Sequence, residues 1–283
     1  MSRKKILIQI HKDLAAGNVN LPTLPEIGMK IKKEANDPDT DISRLTKVAE
    51  SDPAFCGYLL QISNSPLYRG AANIQKVNLA VGRLGLENTR NIAMTFAIRA
   101  LYSNTNKQVI KWLQKVWTDS TYTAAVASVI AEFIEQHFDP DEIILAGLLQ
   151  DIGCLPLIEK ASHHPELIDD DEAMQWLFER YASSLGSAIL RQWGLEEKFV
   201  SVAKNRNNWR YNDEMEINLT DIVLLAKFHT YMGRTMKEPL PRINQMPAFI
   251  KLSFDNHLTP EQSLAFVTEA KEKISETQRA LSA

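Results

Sequence analysis

Residue types capable of chemistry are sparse in this 283-residue chain, which holds only six histidines and two cysteines. Cys56 and Cys154 sit in apolar company without Cys-x-x-Cys spacing. That fits a reducing compartment and excludes a disulfide scaffold or a cysteine-rich zinc module. His163-His164 precede Pro165 and the acidic run Asp169-Asp170-Asp171-Glu172, a mixture of imidazole and carboxylate that could hold a metal. Adjacent histidines seldom chelate one ion, however, and the acidic run reads better as the start of a helix at Ala173, where the helix dipole favours negative charge. His11, His137, His229 and His257 stand alone, and none pairs with a Cys or Ser as a nucleophile. The stretch Lys204 to Tyr211, with Arg206, Trp209 and Arg210, interleaves cations and aromatics as single-strand or nucleotide binders do. The plainer alternative is a loop whose aromatics anchor it to the domain. Asn64 in the Asn64-Ser65-Pro66 turn and Arg69 beside Gly70 could rim a ligand site between subdomains, although a helix-terminating turn explains them equally well.

Composition narrows the classes further. The formal charge of -3 leaves no positive excess to drive sequence-independent phosphate binding, so nucleic acid is a disfavoured partner. Eleven glycines fall well under the roughly 7% usual share, which argues against a turn-rich β-sandwich or barrel. Near the N-terminus, Gln9, His11, Lys12 and Asp13 end the apolar stretch before a signal segment forms. No window approaches the roughly 18 to 20 apolar residues that span a bilayer. The expectation is a cytoplasmic protein without a membrane partner.

The elements that must position these groups are helical, because apolar residues recur with a period near 3.6 almost throughout. Ile6, Leu7, Ile10 and Leu14 predict a first helix ending before Gly17. Asp52-Pro53 offers an N-cap and a first-turn proline, and Gly85 closes a short helix begun near Val77. A long helix is predicted from about Gln108 to Gln136, and a nearly all-apolar central one from Ile143 to about Ile158. Further helices are predicted over Ala173–Tyr181, Leu185–Trp193, Lys198–Arg206, Leu219–Met232 and Pro247–Phe254. The last begins at the Thr259-Pro260-Glu261-Gln262 capping box and runs to about Leu281. Its stripe of Leu264, Val267, Ala270, Ile274 and Leu281 either packs back on the domain or pairs two chains. The fold class is all-α in two helical groups split near residue 105, with domains over 1–105, 106–235 and a C-terminal extension over 236–283.

Several phrases, in order and with compatible spacing, resemble the HDOD family, the HD-related output domain of bacterial signalling proteins. They are Leu21-Pro22-Thr23-Leu24-Pro25, Ser51-Asp52-Pro53-Ala54, Leu59-Leu60-Gln61-Ile62-Ser63-Asn64-Ser65 and Ala80-Val81-Gly82-Arg83-Leu84-Gly85. Later come Trp117 with Asp119-Ser120, the run Leu145 to Gly153, and Leu190-Arg191-Gln192-Trp193-Gly194-Leu195. The resemblance spans roughly residues 19 to 232. It implies an N-terminal helical subdomain packed on a bundle similar to metal-dependent HD phosphohydrolases.

In catalytic HD enzymes a His, a His-Asp pair and a later Asp hold one or two metals that activate water. The matching positions here are Asp119, Gln150-Asp151 and Lys227, so the resemblance retains only Asp151 of that set. Helical spacing puts Asp119, Asp151 and Lys227 on apolar faces. The expectation is that the Lys227 ammonium replaces the metal as counter-charge to Asp119 and Asp151. The alternative is that Lys227 snorkels to the surface and Asp119 caps a turn. The resulting expectation is a non-catalytic bacterial signal-transduction module without metal or cofactor, a monomer or weak dimer. It would contact unidentified signalling proteins or bind a cyclic dinucleotide or other small ligand. A residual HD-type phosphohydrolase using Asp151 is the alternative.

Overall fold

A computed structural model describes residues 3–65, 68, 70, 72–232, 240–252 and 264–282. In chain order the helices are α1 (Arg3–Ala15), α2 (Glu26–Ala35), α3 (Ile42–Ala49), α4 (Pro53–Ser63), α5 (Val77–Ala100), α6 (Lys107–Glu132), α7 (Pro140–Leu149) and α8 (Cys154–Ser162). They continue as α9 (Pro165–Ile168), α10 (Asp171–Gln192), α11 (Glu197–Lys204), α12 (Leu219–Tyr231), α13 (Pro247–Lys251), α14 (Ala265–Glu269) and α15 (Lys271–Ser282). The fold is all-α: no strand occurs among the described residues, and none of the helices is long and apolar enough to cross a membrane.

The chain divides into two compact units. The smaller comprises Leu24–Leu101 with Arg279–Leu281. Asp52 caps α4 by accepting from the Phe55 amide, and Phe55 and Tyr58 pack on Phe96 with ring centroids 5.4 and 5.5 Å apart. Gly85 interrupts α5 at φ 81°, a left-handed conformation that only glycine adopts without strain, so the short helix expected from Val77 does close there.

The larger unit joins the residues up to Thr23 to Tyr102–Gln278. The first helix, expected with an N-terminal subdomain of 1–105, therefore packs elsewhere. His11 Nδ1 lies 2.6 Å from the Tyr181 hydroxyl, Lys160 bridges to Asp13 at 2.6 Å, and the Trp193 indole donates to the Pro22 carbonyl at 2.9 Å. The described part of 236–283 is likewise no separate extension. Phe266 stacks on Phe133 at 4.3 Å, Lys273 bridges to Glu132 at 2.5 Å, and Gln278 donates to the Thr118 carbonyl at 3.2 Å. Phe266, Lys273 and Gln278, which flank the stripe, thus meet α6 and the residue that follows it, and Leu264, Val267 and Ile274 of the stripe are buried. Residues 259–262, where its capping box was expected, lie outside the described residues.

Three helix boundaries differ from the periodic pattern. The predicted pair 173–181 and 185–193 is one helix, α10, because Ser187 satisfies its hydroxyl on the Ser183 and Ser184 carbonyls and leaves the ladder intact. The last predicted helix is broken at Ala270 into α14 and α15. The helix predicted from Ile143 to Ile158 is split at Gln150 to Gly153, where three-residue turns such as Cys154 N to Asp151 O replace the α ladder. At Gly153 a Cβ would lie 2.0 Å from the Ala182 carbonyl oxygen, so only glycine lets this turn seat against α10. That break is what turns Asp151 into the bundle.

Candidate functional site

The Asp151 carboxylate, 4% exposed as a residue, lies at the centre of the larger unit's polar interior. Lys227, from the fully buried helix α12, places Nζ 2.8 Å from Asp151 Oδ1. Arg206, just beyond α11, turns its guanidinium onto the same oxygen and donates from NH1 to the Phe178 carbonyl of α10 at 3.1 Å. The Tyr231 ring, one turn after Lys227, lies 5.5 Å from the ammonium. Side chains from α12 and from the segment after α11 therefore meet on one carboxylate, and α10 braces the guanidinium.

The electrostatics follow from burial and pairing. Burial alone would raise the Asp151 pKa, but Arg206 and Lys227 outweigh it and hold the carboxyl at about 2. Burial, then Arg206, lowers Lys227 to about 8, so at neutral pH it is still an ammonium. Burial also works against the charge of Arg206, but Asp151 beside it keeps the guanidinium protonated. Burial pushes the Cys154 thiol up to about 12, which leaves it neutral and unreactive. The phenols of Tyr102 and Tyr231 are raised by burial as well, so neither supplies a phenolate.

The remaining expected positions separate into distinct places. Asp119 lines the same cleft as Asp151 and Arg206, a cavity of about 500 Å³. Gln150 is fully buried, does not line that cleft, and neither of its amide atoms has a hydrogen-bond partner. Arg206, expected on a ligand or partner surface, is instead 4% exposed, because Asp151 supplies the counter-charge that makes its burial tolerable. It is the site residue whose role the sequence least reveals. Lys204 and Arg210 are exposed, and Trp209 anchors the loop edge-on to Phe228 and Tyr231, at 6.2 Å from each. In the smaller unit, Asn64 donates to the Leu60 and Ile74 carbonyls and accepts from the Ile74 amide at 2.8 Å, so its side chain clasps a turn. Arg69 lies outside the described residues.

His164 precedes α9, and the acidic run opens α10, with Asp170 accepting from the Ala173 amide. His229 is buried and held near a pKa of 4, hence neutral. His257 lies outside the described residues.

The donor set around Asp151 does not fit a divalent metal. Two side-chain cations already share its Oδ1, Gln150 is a neutral amide outside the cleft, and among the described residues no three His, Cys, Asp or Glu side chains converge. Fold and site together define an all-α helical bundle in which two protein cations share one buried aspartate. The sequence pattern of the HDOD domain matches residues 21–209, and the chain belongs to the HDOD family.

Solved structures share the fold. A protein of Shewanella amazonensis SB2B, provisionally described as a metal-dependent phosphohydrolase, superposes with a TM-score of 0.82 at 24% identity over 98% of both chains. An HDOD domain protein with unknown function from Geobacter sulfurreducens gives 0.68 at 24% identity over 95% of both chains. An uncharacterized protein of Treponema pallidum (strain Nichols) is 20% identical over 89% of this chain, which spans about half the length of that curated relative.

Proposed function

We propose that this protein is a non-catalytic regulatory module that acts through protein contact or small-ligand binding. Family membership supports a regulatory role. The observation that carries the non-catalytic part is the double occupation of Asp151 Oδ1 by Arg206 and Lys227. Metal-activated hydrolysis needs an anionic pocket that concentrates a cation and lowers the pKa of its bound water. Here the nearest positive charges belong to the chain, and like-charge repulsion opposes a divalent ion.

Metal analysis of the chain purified without chelator from manganese- and zinc-supplemented cultures tests this, together with hydrolysis of bis-p-nitrophenyl phosphate. The expected result is no stoichiometric divalent ion and no turnover above that of Asp151→Asn. A stoichiometric ion, with turnover lost in Asp151→Asn, would establish the residual phosphohydrolase instead.

A further inference from the structure

Among the described residues, Asp151 receives its side-chain hydrogen bonds on one oxygen. Lys227 Nζ donates to Oδ1 at 2.8 Å, and Arg206 donates from Nε and sets NH2 against the same atom. No described donor reaches Oδ2. The Gln150 amide is also unmet but is sealed inside the bundle, whereas Asp151 lines the cleft of about 500 Å³. Its side chain is only 6% exposed, and what it exposes faces that cleft. An ionised carboxylate has about four acceptor sites, so the open oxygen offers a ligand a charge-assisted hydrogen bond in a sheltered place.

The surroundings decide which donor fits. An ammonium or a metal ion at Oδ2 would stand beside Arg206 and Lys227, two cations already on the same carboxylate. A phosphate brings acceptors and meets Asp151 as like charge. A neutral O–H or N–H meets neither obstacle. The outer wall adds shape more than charge, because Lys111 holds Asp171 at 2.9 Å and Gln175 donates to Glu179 at 3.0 Å. Trp176 lines the cleft half-buried, with Tyr181 edge-on at 5.9 Å, so part of its indole meets solvent. A ring laid on that indole buries an apolar face while its donors turn inward, and the volume suits a ring compound of sugar or nucleoside size.

We infer that the cleft binds an uncharged ring compound, which donates a hydroxyl or N–H to Asp151 Oδ2 and lays a face against Trp176. A sugar and a nucleoside share that chemistry. The inference deepens the small-ligand side of the proposed function and rests on the non-catalytic reading, because a metal held at Asp151 would take Oδ2 for itself. It replaces the expected cyclic dinucleotide with a ligand that carries no phosphate.

Titration calorimetry on the full chain tests it with two matched sets. Glucose is compared with its primary-amino and phosphate counterparts, and adenosine with its own, with a cyclic dinucleotide as a further anion. At least one neutral compound is expected to bind, and its ammonium and phosphate counterparts to bind about tenfold more weakly or worse. Which of the two binds identifies the source of the ring. Because Asp151→Asn would disturb the ionic cluster, the acceptor is tested from the ligand side. Methylating the O–H and N–H groups of the bound compound removes its donors and should lower affinity about tenfold or more. Trp176→Leu, confirmed as folded by thermal melting, should lower it about fivefold or more. No neutral compound bound up to about 10 mM, a charged counterpart bound as tightly, or undiminished binding of the methylated ligand or by Trp176→Leu overturns the inference. Stoichiometric metal on the purified chain would sink the non-catalytic reading, whereas failed binding by metal-free protein sinks this inference alone.

Discussion

Lys227 holds its ammonium 2.8 Å from Asp151 Oδ1, with the two side chains only 1% and 6% exposed, and Arg206 shares that oxygen. One carboxylate therefore compensates two buried cations, which makes the three positions unequal. Asp151→Asn strands both cations and is expected to cost on the order of 3–5 kcal/mol. Lys227→Met leaves a one-to-one pair of Asp151 with Arg206 and should cost clearly less. Urea unfolding of both variants checks the order, and a Lys227→Met protein less stable than Asp151→Asn would refute the shared-carboxylate account.

The same cluster sets a pH dependence at both ends. The Asp151 carboxyl falls to about 2 in the fold from an ordinary 3.8, so its contribution is fully present above about pH 4 and is lost as pH falls through 2. Lys227 is lowered to about 8 from 10.5, so between those values the unfolded chain binds the extra proton and stability rises with pH. The stability of wild type relative to Lys227→Met should therefore grow between pH 8 and 10.5. Equilibrium unfolding at stepped pH measures it, and a constant difference would show that Lys227 does not titrate in that window.

Gln150 has the opposite character, a buried amide with neither atom hydrogen-bonded. An unmet buried polar group costs about 1–3 kcal/mol, so Gln150→Leu, of similar volume, should stabilise the protein by an amount of that order. Calorimetric melting gives the sign. A lower melting temperature would mean that the amide has a partner in solution.

Gly153→Ala introduces a Cβ 2.0 Å from the Ala182 carbonyl oxygen and 2.5 Å from the Gly186 nitrogen. Backbone on both sides leaves nothing to give way easily, and a loss of about 1–3 kcal/mol or more is expected. Gly82→Ala is the control, since a Cβ there meets nothing within 4 Å on an exposed helical position. It should gain about 0.5–1 kcal/mol from lower chain entropy. Equal effects in the two variants would argue against close approach of α10 to the Gly153 turn.

Much of the fold was legible because helix signals are local. Asp52-Pro53 announced α4, Gly85 announced the break within α5, and the acidic run at 169–172 announced α10. The split of α7 from α8 was less visible. Every residue from Ile143 to Leu149 except Gly147 suits a helix, and the stop falls where Gly153 approaches α10, a constraint set by a partner distant in sequence.

For the site, the sequence by itself determined which residue types stand at the positions that the family resemblance singles out. A glutamine and a lysine stand where the family resemblance would put metal ligands, and spacing put Asp151 and Lys227 on apolar faces. Only the tertiary structure decided that Arg206 belongs with them. It lies 55 residues from Asp151 in a stretch of mixed charge and polarity, which from the chain alone resembles an exposed loop. Trp209 anchors that loop beside Tyr231, and the Asp151 charge then makes burial of the guanidinium favourable. Local periodicity records which face of a helix is apolar. It carries no information about which distant charge will meet that face, and that meeting is what builds the ionic cluster around Asp151.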